Sequence, residues 1–121
     1  MTVMAGDGRV GDCFRACVAT IIGRTTEWVP HFGLLGDLHA METAIAWLNY
    51  QGYEVGMHAD DFPELKLMPL HIMRGFSSRG IYHGVVGDTS TGEMVHDPHP
   101  SRAGIKSAES RLYLFEKTPN A

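Results

Sequence analysis

The chain has few cysteines, few basic residues and no long apolar run, and each shortage excludes a class of protein. Two cysteines among 121 residues are too few for the disulfide framework of a small secreted domain. Ten lysines and arginines against 14 aspartates and glutamates give a net charge of −4, which disfavours nucleic-acid binding because that function needs a basic surface. No apolar run approaches the length of a transmembrane helix.

What remains is the composition of an ordinary globular protein. Hydrophobic residues make up 44% of the chain and charged residues 20%, and this length suits one domain, over residues 1–121, that folds without a disulfide or metal. The opening stretch MTVMAGD lacks the basic and apolar segments of a signal peptide. We therefore expect a cytoplasmic protein with reduced thiols and no membrane partner.

Two helices are predicted in the first half of the chain. Asp12 is a suitable N-cap for the first, Gly23 a suitable C-terminal stop, and apolar residues recur between them at helical spacing: Phe14, Cys17, Val18, Ile21 and Ile22. Asp37 is a suitable N-cap for a second helix that Gly52 ends. Trp28 and Trp47 are expected in the core.

The pattern changes after Gly52, where strands are predicted at residues 53–57, 70–76, 81–87, 93–97 and 111–116. Pro63 and Pro69 bracket a segment that we expect to be irregular. Helices followed by a run of strands with short turns favour an α+β fold with an antiparallel sheet.

Cys13 is the first candidate for chemistry, because it lies in the first turn of the predicted helix. Unpaired N–H groups and the helix dipole stabilise a reactive thiolate there. The alternative is a small core residue, which is the role expected for Cys17. A metal or redox site is a weaker option, since no Cys-x-x-Cys or His-x-x-x-His spacing occurs. Its candidate ligands are Cys13, His83, His96, Asp97 and His99. We expect no metal and no cofactor.

A cysteine nucleophile needs a base and a group that orients the base. If the hairpin after His83 is centred on Ser90, His83 faces Asp97 directly, with Cβ atoms roughly 4.5–5.5 Å apart. Asp97 would then fix the imidazole tautomer and leave the other nitrogen for Cys13. A bulge at Gly92 would shift this pairing by one residue. Taken singly, His83 is also typical of a strand edge and Asp97 of a turn.

The stretches GDCFRACVATIIG and YHGVVGDTSTGEMVHDPHP resemble the C39, or double-glycine-peptidase, branch of the papain-like cysteine peptidases. The resemblance covers about residues 7–105 and extends to small uncharacterised phage and prophage proteins. It implies a minimal papain-like fold, with the helix that bears the cysteine packed on an antiparallel sheet. It also implies Cys13 as nucleophile, His83 as general base and Asp97 as orienting carboxylate.

The sequence departs from that family at the oxyanion position. Asp7 stands where the family has glutamine, and an ionised carboxylate donates no hydrogen bond. Phe14 replaces a glycine. The resemblance implies a cysteine-dependent peptidase or amidase acting on a peptide or protein. The departures favour the alternative, a weak or inactive scaffold that serves as a phage-encoded modulator and binds a host protein. Arg79, His99 and Arg102 are expected to line the substrate cleft.

Overall fold

The computed structural model describes residues 13–30, 37–78, 80, 82–98 and 104–117, without the side chains of residues 13, 37–40 and 82. Within these ranges the chain forms two α-helices and one 3₁₀ turn: α1 (Cys13–Ile22), the turn Thr26–Trp28, and α2 (Asp37–Tyr50). Five strands follow: β1 (Tyr53–Gly56), β2 (Lys66–Phe76), β3 (Tyr82–Asp88), β4 (Met94–His96) and β5 (Ser110–Glu116). The α+β prediction is confirmed. Neither described helix is long and apolar enough to cross a membrane.

The described strands form one sheet in the order β1-β5-β2-β3-β4. Every neighbouring pair is antiparallel. β2 and β3 pair without interruption from Leu70–Asp88 to Phe76–Tyr82. This regular register decides on which face of the sheet each β3 side chain lies.

The C-terminal end of α1 follows the prediction. Gly23 has a φ of 76°, and the Arg24 N–H donates to the Ala19 carbonyl at 2.9 Å, which is the Schellman arrangement. Asp37, predicted as the N-cap of α2, is instead its first helical residue. Asp12 lies outside the described residues.

β2 is longer than predicted, because Pro69 does not end it. The strand begins at Lys66, and its register against β5 shifts between Leu67 and His71. A proline is tolerated at such an irregularity because its missing N–H interrupts no regular ladder bond. The Pro69 carbonyl accepts a hydrogen bond from the Thr89 N–H at 2.9 Å, so this position is still bonded to the turn that follows β3.

The predicted register of the β3–β4 hairpin is wrong. Val86 pairs with His96 and Gly87 with Met94, with a shift between them, so Asp97 lies beyond the end of β4 and not directly opposite His83. The Asp88 N–H donates to the Glu93 carbonyl at 2.8 Å, which closes the turn one residue later than a hairpin centred on Ser90 requires.

The two faces of the sheet carry different clusters. The helices cover one face, and their core includes Cys17, Val18, Leu48, Ile72, Val86 and Leu114. Buried residues of the other face include Met73, Val85 and Phe115, and Phe62 packs on Phe115 with ring centroids 5.1 Å apart.

The sequence predicts Trp28 in the core, but the side chain is 42% exposed. It lies in the short 3₁₀ turn, and its ring meets the ring of Trp47 edge to face, with centroids 5.3 Å apart. The Arg24 guanidinium lies 4.7 Å above its ring, an arrangement that suits a partly exposed tryptophan. Trp47 packs against the helix-side core as expected.

Candidate functional site

A buried histidine–aspartate pair forms the centre of the candidate site. His83 Nε2 and Asp97 Oδ1 are 2.6 Å apart, and the residues are only 6% and 2% exposed. The second oxygen, Asp97 Oδ2, accepts a hydrogen bond from the Gly104 N–H at 2.7 Å. The side chains predicted to meet across the hairpin therefore do meet.

His83 and Asp97 meet although the predicted register is wrong, because the actual register places both side chains on the same face of the sheet. Continuing the Val86–His96 pairing would place Asp97 opposite Val85, which has the same side-chain direction as His83. Asp97 is then a diagonal neighbour of His83, and such neighbours remain within reach of long side chains. A shift by one residue would have turned the carboxylate to the opposite face.

The bond between the two groups sets the roles of the imidazole nitrogens. A buried carboxylate is costly without partners, and here it has a ring N–H and a backbone N–H. Asp97 accepts from Nε2–H when ionised, which favours the tautomer whose Nδ1 carries the basic lone pair. This arrangement fixes the direction of Nδ1, which is what a general base needs.

Gly84 brings α1 against β3 next to His83. A Cβ built on Gly84 would lie 3.6 Å from Ile72 Cγ2 and 3.9 Å from Cys17 Sγ, so the helix packs closely on this residue. Cys17 is fully buried in that contact, which confirms its expected core role. Cys13 is the first residue of α1, one turn before Cys17.

His83 lies on the face of the sheet that does not bear α1. Side chains alternate along β3, Gly84 faces Cys17, and His83 is paired with Gly75, where an added Cβ would meet Ser107 and Ile105 instead. His83 is the second residue of β3, so its ring lies near the beginning of that strand.

The remaining predicted site residues lie outside the described residues: Asp7, Arg79, His99 and Arg102, together with the side chain of Cys13. Within the described ranges, no group of three or more His, Cys, Asp or Glu side chains is arranged to hold a metal ion.

A second buried histidine, His71, is the centre of a network. Arg111 Nη1 donates to His71 Nε2 at 2.8 Å, and the ring stacks on Tyr113 with centroids 4.6 Å apart. Burial and then the Arg111 charge lower the pKa of His71 to about 4. The alternation of Arg111 and Tyr113 with apolar residues in β5 was the available signal.

Two glycines were also missed. A glycine inside a strand, such as Gly84, often marks a close approach of another backbone or helix, and that signal was present in the sequence. Gly104 had none, because nothing local indicates that the chain returns to Asp97 there.

Comparisons of the chain with known family models, curated proteins and solved structures find no match. The functional interpretation therefore depends on the motifs in the sequence and on the geometry of the His83–Asp97 pair.

Proposed function

We propose that the chain is a cysteine-dependent hydrolase of peptide or amide bonds with a minimal papain-like, C39-like fold. Cys13 is the nucleophile, His83 the general base and Asp97 the orienting carboxylate. The strongest support is the buried 2.6 Å bond between His83 and Asp97. The resemblance in the sequence assigns these two residues to one catalytic triad with Cys13. The packing of α1 on Gly84 also joins the helix that begins at Cys13 to the strand that carries His83, although His83 points to the opposite face of that strand.

The proposed reaction has two stages: transfer of the acyl group to Cys13 and its transfer from Cys13 to water. His83 Nδ1 takes the proton of the Cys13 thiol, and the thiolate attacks the substrate carbonyl carbon. His83 then protonates the leaving amine as the C–N bond breaks, which leaves a thioester on Cys13. Water then adds to the carbonyl carbon of this thioester and gives one proton to His83. The C–S bond breaks, the carboxylic acid leaves, and His83 returns the proton to the Cys13 thiolate. Asp97 remains ionised throughout and stabilises the imidazolium.

Oxyanion stabilisation is the weak part of the proposed enzyme. Asp7 replaces a glutamine donor, and losing one such donor costs about 10²–10³ in rate. In this proposal the backbone N–H of Cys13, in the first turn of α1, supplies the remaining donor. We therefore expect a slow enzyme whose thiol is reactive but whose turnover is modest.

Selective alkylation tests this proposal. Native protein is treated with iodoacetamide across pH 5–9, and mass spectrometry follows Cys13 and Cys17 separately. Cys13 should react about tenfold or more faster than glutathione at pH 6.5, because only a thiolate is nucleophilic there. Cys17 is fully buried and serves as the internal control.

Two variants complete the test. His83→Ala should abolish the fast alkylation of Cys13, whereas His58→Ala, which removes an exposed histidine, should leave it unchanged. Fast alkylation that survives His83→Ala, or Cys13 reacting no faster than glutathione, would refute the hydrolase.

The second candidate function is an inactive scaffold, a phage-encoded modulator that binds a host protein in the host cytoplasm. The position of His83 on the face away from α1 favours it, because the pair would then serve only to tie β3 to the segment at Gly104. This candidate predicts that alkylation of Cys13 is slow and independent of His83.

A further inference from the structure

We infer that the backbone N–H of Gly104 is a positioning group for His83, acting through the Asp97 carboxylate. Its nitrogen lies 2.7 Å from Asp97 Oδ2, while His83 Nε2 lies 2.6 Å from Oδ1. Each carboxylate oxygen is thus bound from a different part of the chain. The catalytic meaning of this inference rests on the proposed function, although the geometry does not.

The second bond matters because of the freedom of an aspartate side chain. The terminal torsion of aspartate is broad, so each hydrogen bond to a carboxylate oxygen restricts a rotation that would carry the imidazole with it. The Asp97 side chain is only 1% exposed, which leaves little room for solvent to replace a lost N–H. The Gly104 bond therefore fixes the carboxylate plane and, through it, the direction of His83 Nδ1.

The segment that carries Gly104 is docked on β2 at two points. The Lys106 N–H donates to the Phe76 carbonyl at 2.8 Å, and the Glu109 N–H donates to the Arg74 carbonyl at 2.7 Å. At Gly75, between these two carbonyls, an added Cβ would collide with the backbone of Ser107. The Gly104 N–H is consequently held in place by the sheet before any substrate binds.

Two features make glycine necessary at this position. Gly104 has a φ of 77°, in the left-handed region that strains residues with a Cβ. A Cβ added here would also lie 3.0 Å from the Met94 Sδ on β4, so Met94 would have to move. An alanine at position 104 should therefore turn or displace the N–H that binds Asp97.

The matched control is Gly23, at the end of α1. Its φ of 76° equals that of Gly104 within a degree, and an added Cβ meets no atom within 4 Å. Gly23→Ala thus imposes the same backbone strain without touching the His83–Asp97 pair. Any effect that Gly104→Ala has beyond Gly23→Ala comes from the contacts of position 104 with Asp97 and Met94.

The experiment measures the tautomer of His83 by ¹⁵N NMR of the imidazole, alongside Cys13 alkylation. Wild-type protein and Gly23→Ala should show the Nε2–H tautomer of His83 and equal alkylation rates. Gly104→Ala should show both tautomers and a loss of about tenfold or more in the rate. If Gly104→Ala does not fold, the Met94→Ala/Gly104→Ala pair, which removes the 3.0 Å contact, replaces it with the same expectations.

The outcomes separate this inference from the proposed function. An unchanged His83 tautomer in folded Gly104→Ala overturns the positioning role, whatever Cys13 does. A tautomer shift in Gly104→Ala with unreactive Cys13 in the wild type upholds the positioning role and overturns the hydrolase.

Discussion

The two buried histidines of the sheet differ in the charge that faces them. His83 is bound to the Asp97 carboxylate at 2.6 Å, and His71 to the Arg111 guanidinium at 2.8 Å. A carboxylate stabilises an imidazolium, whereas a guanidinium opposes it. Only His83 is therefore suited to accept a proton during a reaction, and His71 is suited to stay neutral and support the sheet.

The neutral state of His71 predicts a loss of stability in acid. Its pKa is lowered to about 4 by burial and by Arg111, while the unfolded chain binds the proton near 6.5. The free energy of unfolding should be highest above pH 6.5 and should fall as pH drops from 6.5 to 4, by at most about 3 kcal/mol. Urea unfolding at intervals between pH 7 and pH 4 measures this slope.

The control for this pH dependence is the His71→Phe variant, which retains the stacking on Tyr113 but cannot titrate. It should unfold with a flatter pH profile between 6.5 and 4, whatever its absolute stability. An equally steep profile in His71→Phe would show that other groups cause the loss.

Among the contacts of single side chains, some could be predicted from the sequence and others could not. The meeting of His83 and Asp97 was predictable because side-chain direction depends only on parity along a strand. The partners of Asp97 Oδ2 and of His71 were not, because Gly104 and Arg111 reach them through the path of distant segments.

Among the elements, the packing of α1 on β3 depends on Gly84. Periodicity predicted the helix and its apolar face, since both follow from local sequence. It could not predict which strand the helix crosses, because that depends on the shapes of two surfaces. The extra length of β2 was missed for a similar reason: Pro69 is a local signal for a break, and the register shift that accommodates it is a property of the sheet.

Substitutions at Gly84 should show how closely α1 approaches. Gly84→Ala places a methyl group at ordinary contact distance from Ile72 and Cys17, 3.6 and 3.9 Å away, so its unfolding free energy should change little. Gly84→Val adds two further methyl groups to a filled space and should destabilise by about 1–3 kcal/mol. Urea unfolding of the three proteins measures both effects.

If Gly84→Val were as stable as Gly84→Ala, α1 would not pack against this part of β3. If Cys13 and His83 act together as proposed, Gly84→Val should also slow Cys13 alkylation more than Gly84→Ala does, because it pushes α1 away from β3.

Over the whole molecule, the sheet lies between two buried clusters. Residues 83–87 of β3 are all buried, which explains why the residues after His83, from Gly84 to Gly87, are all apolar or small without polar alternation. The helices cover one face. The segment at 104–109 and Phe62 cover parts of the other. In the proposed enzyme α1 lies on one face and His83 on the other, so the geometry of that site would depend on both clusters.

This arrangement predicts that a substitution that destabilises one buried cluster also lowers the unfolding transition of the other. Phe115 is 1% exposed on the face away from the helices, and Phe115→Ala should destabilise by about 3–5 kcal/mol because it leaves a cavity. Trp28 and Trp47, the two tryptophans of the chain, report from the helix side. Their fluorescence transition in urea should move to lower urea together with the circular dichroism of the whole fold.

Coincident transitions would show that the two clusters unfold as one cooperative unit. A fluorescence transition that stays at the wild-type urea midpoint, while circular dichroism shifts, would show that the helix side folds independently of the Phe115 side. Leu48→Ala is the matched variant, since Leu48 is equally buried in the helix-side cluster and must move the fluorescence transition in either case. Cooperative unfolding would mean that α1 and the His83–Asp97 pair are held by one structure, as a preorganised site requires.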